Sequence, residues 1–231
     1  SIFIDIGVPS AVIKYAAEAD DDRPVVWAGI ALNTLITFAS FLACISLAGP
    51  ITSAMGKPDA YLPLVFASFY ILPSSLNDIF YARLNARRRI ELLSALKVFA
   101  ASLEVALPAA FIPLFKSIYG PAFGIYGAIA GLIAAASIGT AAAGAFAWCR
   151  ARFDYAIAKK LLRYGVFIAA SALTNYIVGK FDRIVLAFFI ASEWIGYYSI
   201  AQGMADFMLL VPGAFSVAAL PIVSRAHASG N

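Results

Sequence analysis

Apolar and polar residues fall along this chain in long blocks. Six apolar stretches follow one another at residues 25–49, 61–82, 92–115, 123–148, 164–190 and 197–223, each of about 22 to 27 residues. A helix rising about 1.5 Å per residue crosses a bilayer core in about 20, so each stretch predicts one full transmembrane helix. Residues 3–19 (FIDIGVPSAVIKYAAEA) predict the second half of another span, already under way at the first residue. The predicted fold is therefore all-α: a polytopic bundle of six full spans and one partial N-terminal span, an internal piece of a larger, transporter-sized protein.

Composition agrees with this pattern. Hydrophobic residues make up 62% and charged residues 13% of the chain, well below the charge of about 25% that soluble domains carry. The net charge of +4 points to loop placement, not to nucleic acid. Arg83, Arg87, Arg88 and Arg89 follow the second stretch; Arg150, Arg152, Lys159, Lys160 and Arg163 surround the join of the fourth and fifth; Arg225 follows the sixth. The connections between carry only Lys57 and Asp59, then Lys116, then Glu193. The positive-inside rule places the Arg-rich connections in the cytoplasm. The acidic loop 20–24, with Asp20, Asp21 and Asp22, falls on the same side as a mild irregularity. Trp27, Trp148 and Trp194 lie near span ends, as interfacial aromatic belts require.

Three parts follow: 1–148 as part of one transmembrane lobe, 149–163 (CRARFDYAIAKKLLR) as a basic amphipathic connector in the form of a short surface helix, and 164–231 as the start of a second lobe. Cys44 and Cys149 are too far apart in the topology for a bridge, and the single histidine, His227, lies in the polar tail. No metal cluster and no cofactor is expected.

Several spans carry a polar stripe at helical spacing. Asn33, Thr37, Ser40 and Cys44 recur at steps of three or four. Ser94, Lys97 and Glu104 share one face of the third span; Ser171, Asn175 and Asp182 align in the fifth, with Lys180 and Arg183 beside them; Gln202 and Asp206 are four apart in the sixth. Such stripes face a common interior, either as bonds between helices or as the lining of a pathway. Ionisable groups are costly at mid-membrane, so Glu104 and Asp206 favour an interior role, while Lys97 lies near enough to the inner end to reach head groups. Asp78 stands close to the arginine cluster and is read as interfacial. Gly124, Gly127 and Gly131 open the fourth span and predict close helix packing. Pro73, Pro108, Pro113 and Pro212 predict bends.

The segment 161–225 resembles the opening of the second half of the polysaccharide (Wzx-type) flippases of the MOP, MATE-like, transporter superfamily. The resemblance rests on the basic lead-in to Tyr164-Gly165, on Asp182-Arg183, on Gly196-Tyr197-Tyr198-Ser199 and on the close at Leu220-Pro221 and Ser224-Arg225. Asp5-Ile6-Gly7-Val8 with Lys14-Tyr15 is similar to the end of that family's second helix, and Arg87-Arg88-Arg89 and Gly124-Ile125-Tyr126-Gly127-Ala128 to later elements.

The resemblance implies a two-lobe transporter, not an enzyme, that moves polyprenyl-pyrophosphate-linked oligosaccharide, an O-antigen or exopolysaccharide repeat unit, across the membrane by alternating access. Its partners would be that substrate, the lipid bilayer and glycan-assembly proteins, with no nucleic acid. An anionic pyrophosphate needs cations, for which Lys14, Lys97, Lys180 and Arg183 are the candidates. Glu104, Asp182 and Asp206 would balance charge or couple an ion gradient, and Asn33, Thr37, Asn175 and Gln202 would line the polar cavity. A multidrug or small-solute antiporter of the same superfamily is the alternative and wants a net acidic cavity. A membrane-embedded glycan polymerase is a further rival, disfavoured by outer connections too short for a catalytic domain.

Overall fold

The computed structural model describes residues 7–208, with the side chains of 175–178, 180, 184 and 192 excepted. Every regular element among them is helical: α1 (Val8–Glu18), α2 (Arg23–Ala54), α3 (Tyr61–Ser68), α4 (Ile71–Ala86), α5 (Ile90–Tyr119), α6 (Gly124–Ala147), α7 (Tyr155–Phe189) and α8 (Ser192–Met208). Short 3-10 turns at Pro58–Ala60 and Pro121–Phe123 lead into α3 and α6. Contacts gather the chain into two units, residues 1–177 and 178–231, with the division inside α7.

Four helical segments among the described residues are long and apolar enough to cross a bilayer: Arg23–Ala54, Pro58–Ala86, Ile90–Tyr119 and Pro121–Ala147. They match the first four predicted stretches and fall short of the six complete spans expected. The fifth stretch, but for its last residue, lies within α7. The sixth begins in α8, and its later part, with Pro212, lies outside the described residues.

Two expectations are corrected by local chemistry. The stretch 61–82 is not one helix; it breaks at Phe69-Tyr70. Pro73 has no amide hydrogen, and its ring crowds the carbonyl four residues back, at Phe69. The chain answers with tighter bonds, Phe69 N–H to Phe66 O at 3.3 Å and Tyr70 N–H to Ala67 O at 3.1 Å. The basic connector is not a separate short helix either. Residues 148–154 are non-helical, and the Lys- and Arg-rich part is continuous with the apolar length of α7.

Helix ends follow their capping residues. Lys57 N–H bonds to Thr52 O and Gly56 N–H to Ser53 O, closing α2, with Gly56 at φ +64°. This cap needs a left-handed residue, which glycine supplies without steric cost. α4 closes in the same way, Arg89 N–H to Leu84 O and Arg88 N–H to Asn85 O, yet its left-handed residue is Arg88 at φ +54°.

Within the unit 1–177 the most extensive helix contact joins α5 and α6. A methyl group on Gly131 would sit 2.5 Å from Pro108 N, and one on Gly127 2.5 Å from Phe111 O, so these glycines let two backbones touch, as the sequence predicts. The main buried cluster takes Val8 and Val12 from α1, Val26 from α2, Ile79, Phe80 and Leu84 from α4, Ala143 and Ala147 from α6 and Leu161 from α7. It lies at the Arg-rich end of the bundle. Leu35, Val98, Val105 and Phe146, by contrast, are exposed on the spans, as lipid-facing residues are.

Candidate functional site

Two matched stripes make a polar cleft between α4 and α5. On α4, Ser74, Asn77, Asp78 and Tyr81 recur at steps of three, one and three, which keeps them on one helix face. On α5, Lys97, Ala100, Ala101 and Glu104 repeat the same spacing. The two alanines leave space where the stripes meet, and the cleft measures about 230 Å³, with Tyr70 and Ala136 completing its lining. A second cleft of about 290 Å³ shares Asp78, Tyr81 and Lys97 and is lined beyond them by Pro9, Ile13, Asn85 and Leu93.

Several of the polar groups have defined neighbours. Tyr70 Oη donates to Glu104 Oε1 at 3.2 Å. Lys97 Nζ stands 5.7 Å from the Tyr81 ring centroid, within reach of a cation–π contact. The Tyr81 hydroxyl is anchored to Leu96 O at 3.4 Å. Asn77 Oδ1 is buried and has no hydrogen-bond partner among the described residues. Two carboxylates and one ammonium thus share a space in which an acceptor oxygen still has bonding capacity.

Lys97 and Glu104 are therefore brought together, as their spacing predicts. Asp78, read as interfacial for its nearness to the arginine cluster, lines both clefts. Asp78 and Arg83 stand five positions apart, a turn of about 140° around the helix axis, so the two point to different surroundings. The α4 stripe is legible from its own spacing of three, one and three.

Asn33 and Thr37 do not line either cleft. Both are buried, and both spend their polar groups on Ser75 of α4. Asn33 Nδ2 donates to Ser75 O at 2.9 Å and to Ser75 Oγ at 2.5 Å, and Thr37 Oγ1 meets Ser75 Oγ at 2.5 Å. In α2 the stripe acts as a bond between helices, the first of the two uses open to it.

Lys14 stands apart from Lys97, on the side of α1 that meets α7. Its Nζ lies 4.5 Å from the Tyr164 centroid and 5.4 Å from that of Tyr15. In the unit 178–231, Arg183 Nε donates to Gln202 Oε1 at 2.5 Å, and Tyr198 Oη donates to Asp182 Oδ2, so three of the predicted residues join α7 to α8. Asp206, one turn beyond Gln202, is exposed. Lys180 and Asn175 lie outside the described side chains.

The tightest polar cluster was not foreseen. Asp22, at the mouth of α2, is buried and takes two arginines of the α4 end. Arg83 Nε donates to Asp22 Oδ2 at 2.8 Å, and Arg87 Nη2 to Asp22 Oδ1 at 2.5 Å. Arg83 Nη1 also donates to Ala147 O at 2.9 Å and Trp148 O at 3.1 Å, tying down the free carbonyls at the end of α6. Burial alone would push the Asp22 carboxyl up; the hydrogen bonds from Arg83 and Arg87, and their charges, outweigh it and hold the carboxyl below its ordinary 3.8. Cys149 closes the cluster, its Sγ 3.9 Å from Arg23 O, and burial above all raises its thiol. The acidic loop on the basic side is thus a counter-ion.

A profile of the family described as polysaccharide biosynthesis protein matches residues 1–227 of the chain. No curated protein and no solved structure gives a match.

Proposed function

Because the chain belongs to the polysaccharide biosynthesis protein family, we propose that its family-level role, membrane transport in polysaccharide biosynthesis, takes the specific form of flipping a polyprenyl-pyrophosphate-linked oligosaccharide by alternating access. The observation that carries this reading is the α4–α5 cleft: Lys97, Asp78 and Glu104 gathered between two long apolar helices, where charge is tolerated only for a reason. Residues 1–148 belong to one lobe and 164–231 to the other, joined by 149–163, with six full spans and the Arg-rich ends in the cytoplasm of a bacterial inner membrane. Glycan-assembly proteins supply and receive the cargo, and the chain performs no bond chemistry itself.

Within the cleft, Lys97 is the group suited to the anionic pyrophosphate, and Arg183 and Lys180 are its counterparts in the second lobe. Glu104, with Asp78, balances that charge or carries a coupling proton, while Asp182 and Asp206 do so on α7 and α8. The test is glycan export by the full-length protein in a strain lacking its own exporter. Lys97→Gln and Glu104→Gln are expected to lower export and to leave lipid-linked oligosaccharide on the inner leaflet. Normal export by both variants would remove the cleft from the pathway.

One observation favours the small-solute antiporter as a second reading. The cleft holds two carboxylates to one ammonium, a balance that suits a cationic solute. Export of a cationic dye by the full-length protein, abolished by Asp78→Asn while glycan export persists, would decide for it.

A further inference from the structure

A second cluster of cations lies outside the cleft, at the Arg-rich end of the bundle where α1 meets α7. Lys160, Arg163, Tyr164 and Phe167 share one face of α7, and with Tyr15 of α1 they line a hollow of about 350 Å³. Tyr15 and Tyr164 meet edge to face at 5.6 Å. Lys160 Nζ lies 4.3 Å from the Tyr15 centroid, and Lys14 Nζ 4.5 Å from that of Tyr164. A ring beneath an ammonium holds it in place and leaves its N–H donors pointing outward. Among the described residues, none of Lys14, Lys160 and Arg163 has a carboxylate within ion-pair distance.

The order of groups along α7 matters as much as their charge. Lys160 and Arg163 come first, Tyr164 next, and Phe167 one turn deeper, where it is 72% exposed. Cation, amphipathic ring and apolar surface follow one another in the order of phosphate, glycerol and acyl chain in a phospholipid. A soluble anion would have no use for Phe167, and an apolar ligand none for three unpaired cations. We infer that the hollow between α1 and α7 holds the phosphate of an anionic phospholipid from the leaflet at the Arg-rich end, with Lys14, Lys160 and Arg163 as its cations and Phe167 against its chains.

The test is lipid retention by the purified full-length protein, read by native mass spectrometry from an equal mixture of phosphatidylglycerol and phosphatidylcholine. The unaltered protein is expected to retain phosphatidylglycerol preferentially. Lys14→Gln, Lys160→Gln and Arg163→Gln should each weaken that preference about five-fold, the effect of one basic residue near an anionic surface. Lys160→Arg should keep it, as should Lys116→Gln at the far end of α5. Equal retention of the two lipids, or a preference that survives all three glutamine changes together, overturns the assignment. So does displacement of phosphatidylglycerol by a ten-fold lower concentration of polyprenyl diphosphate, which would make this a cargo site. Should the variants not fold, a photoreactive phosphatidylglycerol on the unaltered protein decides. Labelling of α1 or of the first turns of α7 supports the site, and labelling confined to other helices refutes it. None of these readouts depends on export, so the site and the transport reading fail separately.

Discussion

Arg83 and Asp22 stand sixty-one residues apart in the chain and are buried against one another, Arg83 Nε to Asp22 Oδ2 at 2.8 Å. The pair binds the start of α2 to the end of α4, and the same guanidinium holds the last carbonyls of α6. Three helix ends therefore depend on one carboxylate.

Removing that carboxylate leaves a buried guanidinium without its counter-ion. Asp22→Ala should destabilise the full-length protein by about 3–5 kcal/mol. Arg87 is 45% exposed at its side chain, and Arg87→Ala should cost about 1 kcal/mol or less. Thermal unfolding in detergent would rank the two, and equal losses would show that burial does not set the strength of this cluster.

The depressed carboxyl gives the cluster a pH signature. A group whose folded pKa lies below its unfolded value stabilises the fold above the unfolded value and loses that effect as pH falls through the folded one. For Asp22 the contribution is complete at neutral pH, constant down to about pH 4, and lost below 3.8. The stability gap between the unaltered protein and Asp22→Asn should be level from pH 8 to pH 5 and narrow only in stronger acid. A gap that opens or closes near pH 6 would contradict the direction of the shift.

Arg88 occupies a left-handed position that its side chain makes strained, at φ +54°. Arg88→Gly should stabilise the protein by about 1 kcal/mol, seen as a higher unfolding temperature. No gain would mean that the exposed Arg88 side chain supplies a compensating contact at the membrane surface.

The glycines of α6 separate sharply by what faces them. At Gly131 an added methyl meets the backbone of Pro108, which cannot retreat without moving α5. At Gly124 it meets only the end of the flexible Lys116 side chain. Gly131→Val should abolish folded protein in size-exclusion profiles, while Gly124→Ala should elute as the unaltered protein does.

Tyr70 and Glu104 offer a test of the cleft as a unit. A hydrogen bond to a carboxylate at this half-open place contributes about 1 kcal/mol, so Tyr70→Phe should lower transport about five-fold. Combined with Glu104→Gln, the loss should be less than the product of the two single losses, because the pair shares one bond. Fully multiplicative losses would show that the two side chains act separately.

What could be read beforehand was whatever depends on length and period. A run of about 25 apolar residues such as 25–49 has few other folds open to it, and Lys97 and Glu104 share a face by spacing alone. Pro73 announced a bend, but whether a proline merely bends a helix or breaks it depends on whether neighbouring groups take up the freed bonds. Asn33 shows the same limit: its spacing marked an inward face, yet a neighbouring helix and a cavity both lie inward, and Ser75 is what distinguishes them.

The sequence by itself determined that this is a bundle of long apolar helices, that polar residues recur along single faces of several of them, and that the chain resembles a polysaccharide flippase. Those properties follow from local period and from the cost of placing polar groups in lipid. Only the tertiary structure decided which inward-facing groups meet. It placed Asp78 in the cleft with Lys97, Asn33 against Ser75, and Asp22 between two arginines. Each of these pairings joins different helices, and their relative rotation and height are set by close approaches such as Gly131 on Pro108. No spacing within one helix encodes that rotation, so the partners become legible only once the helices are packed.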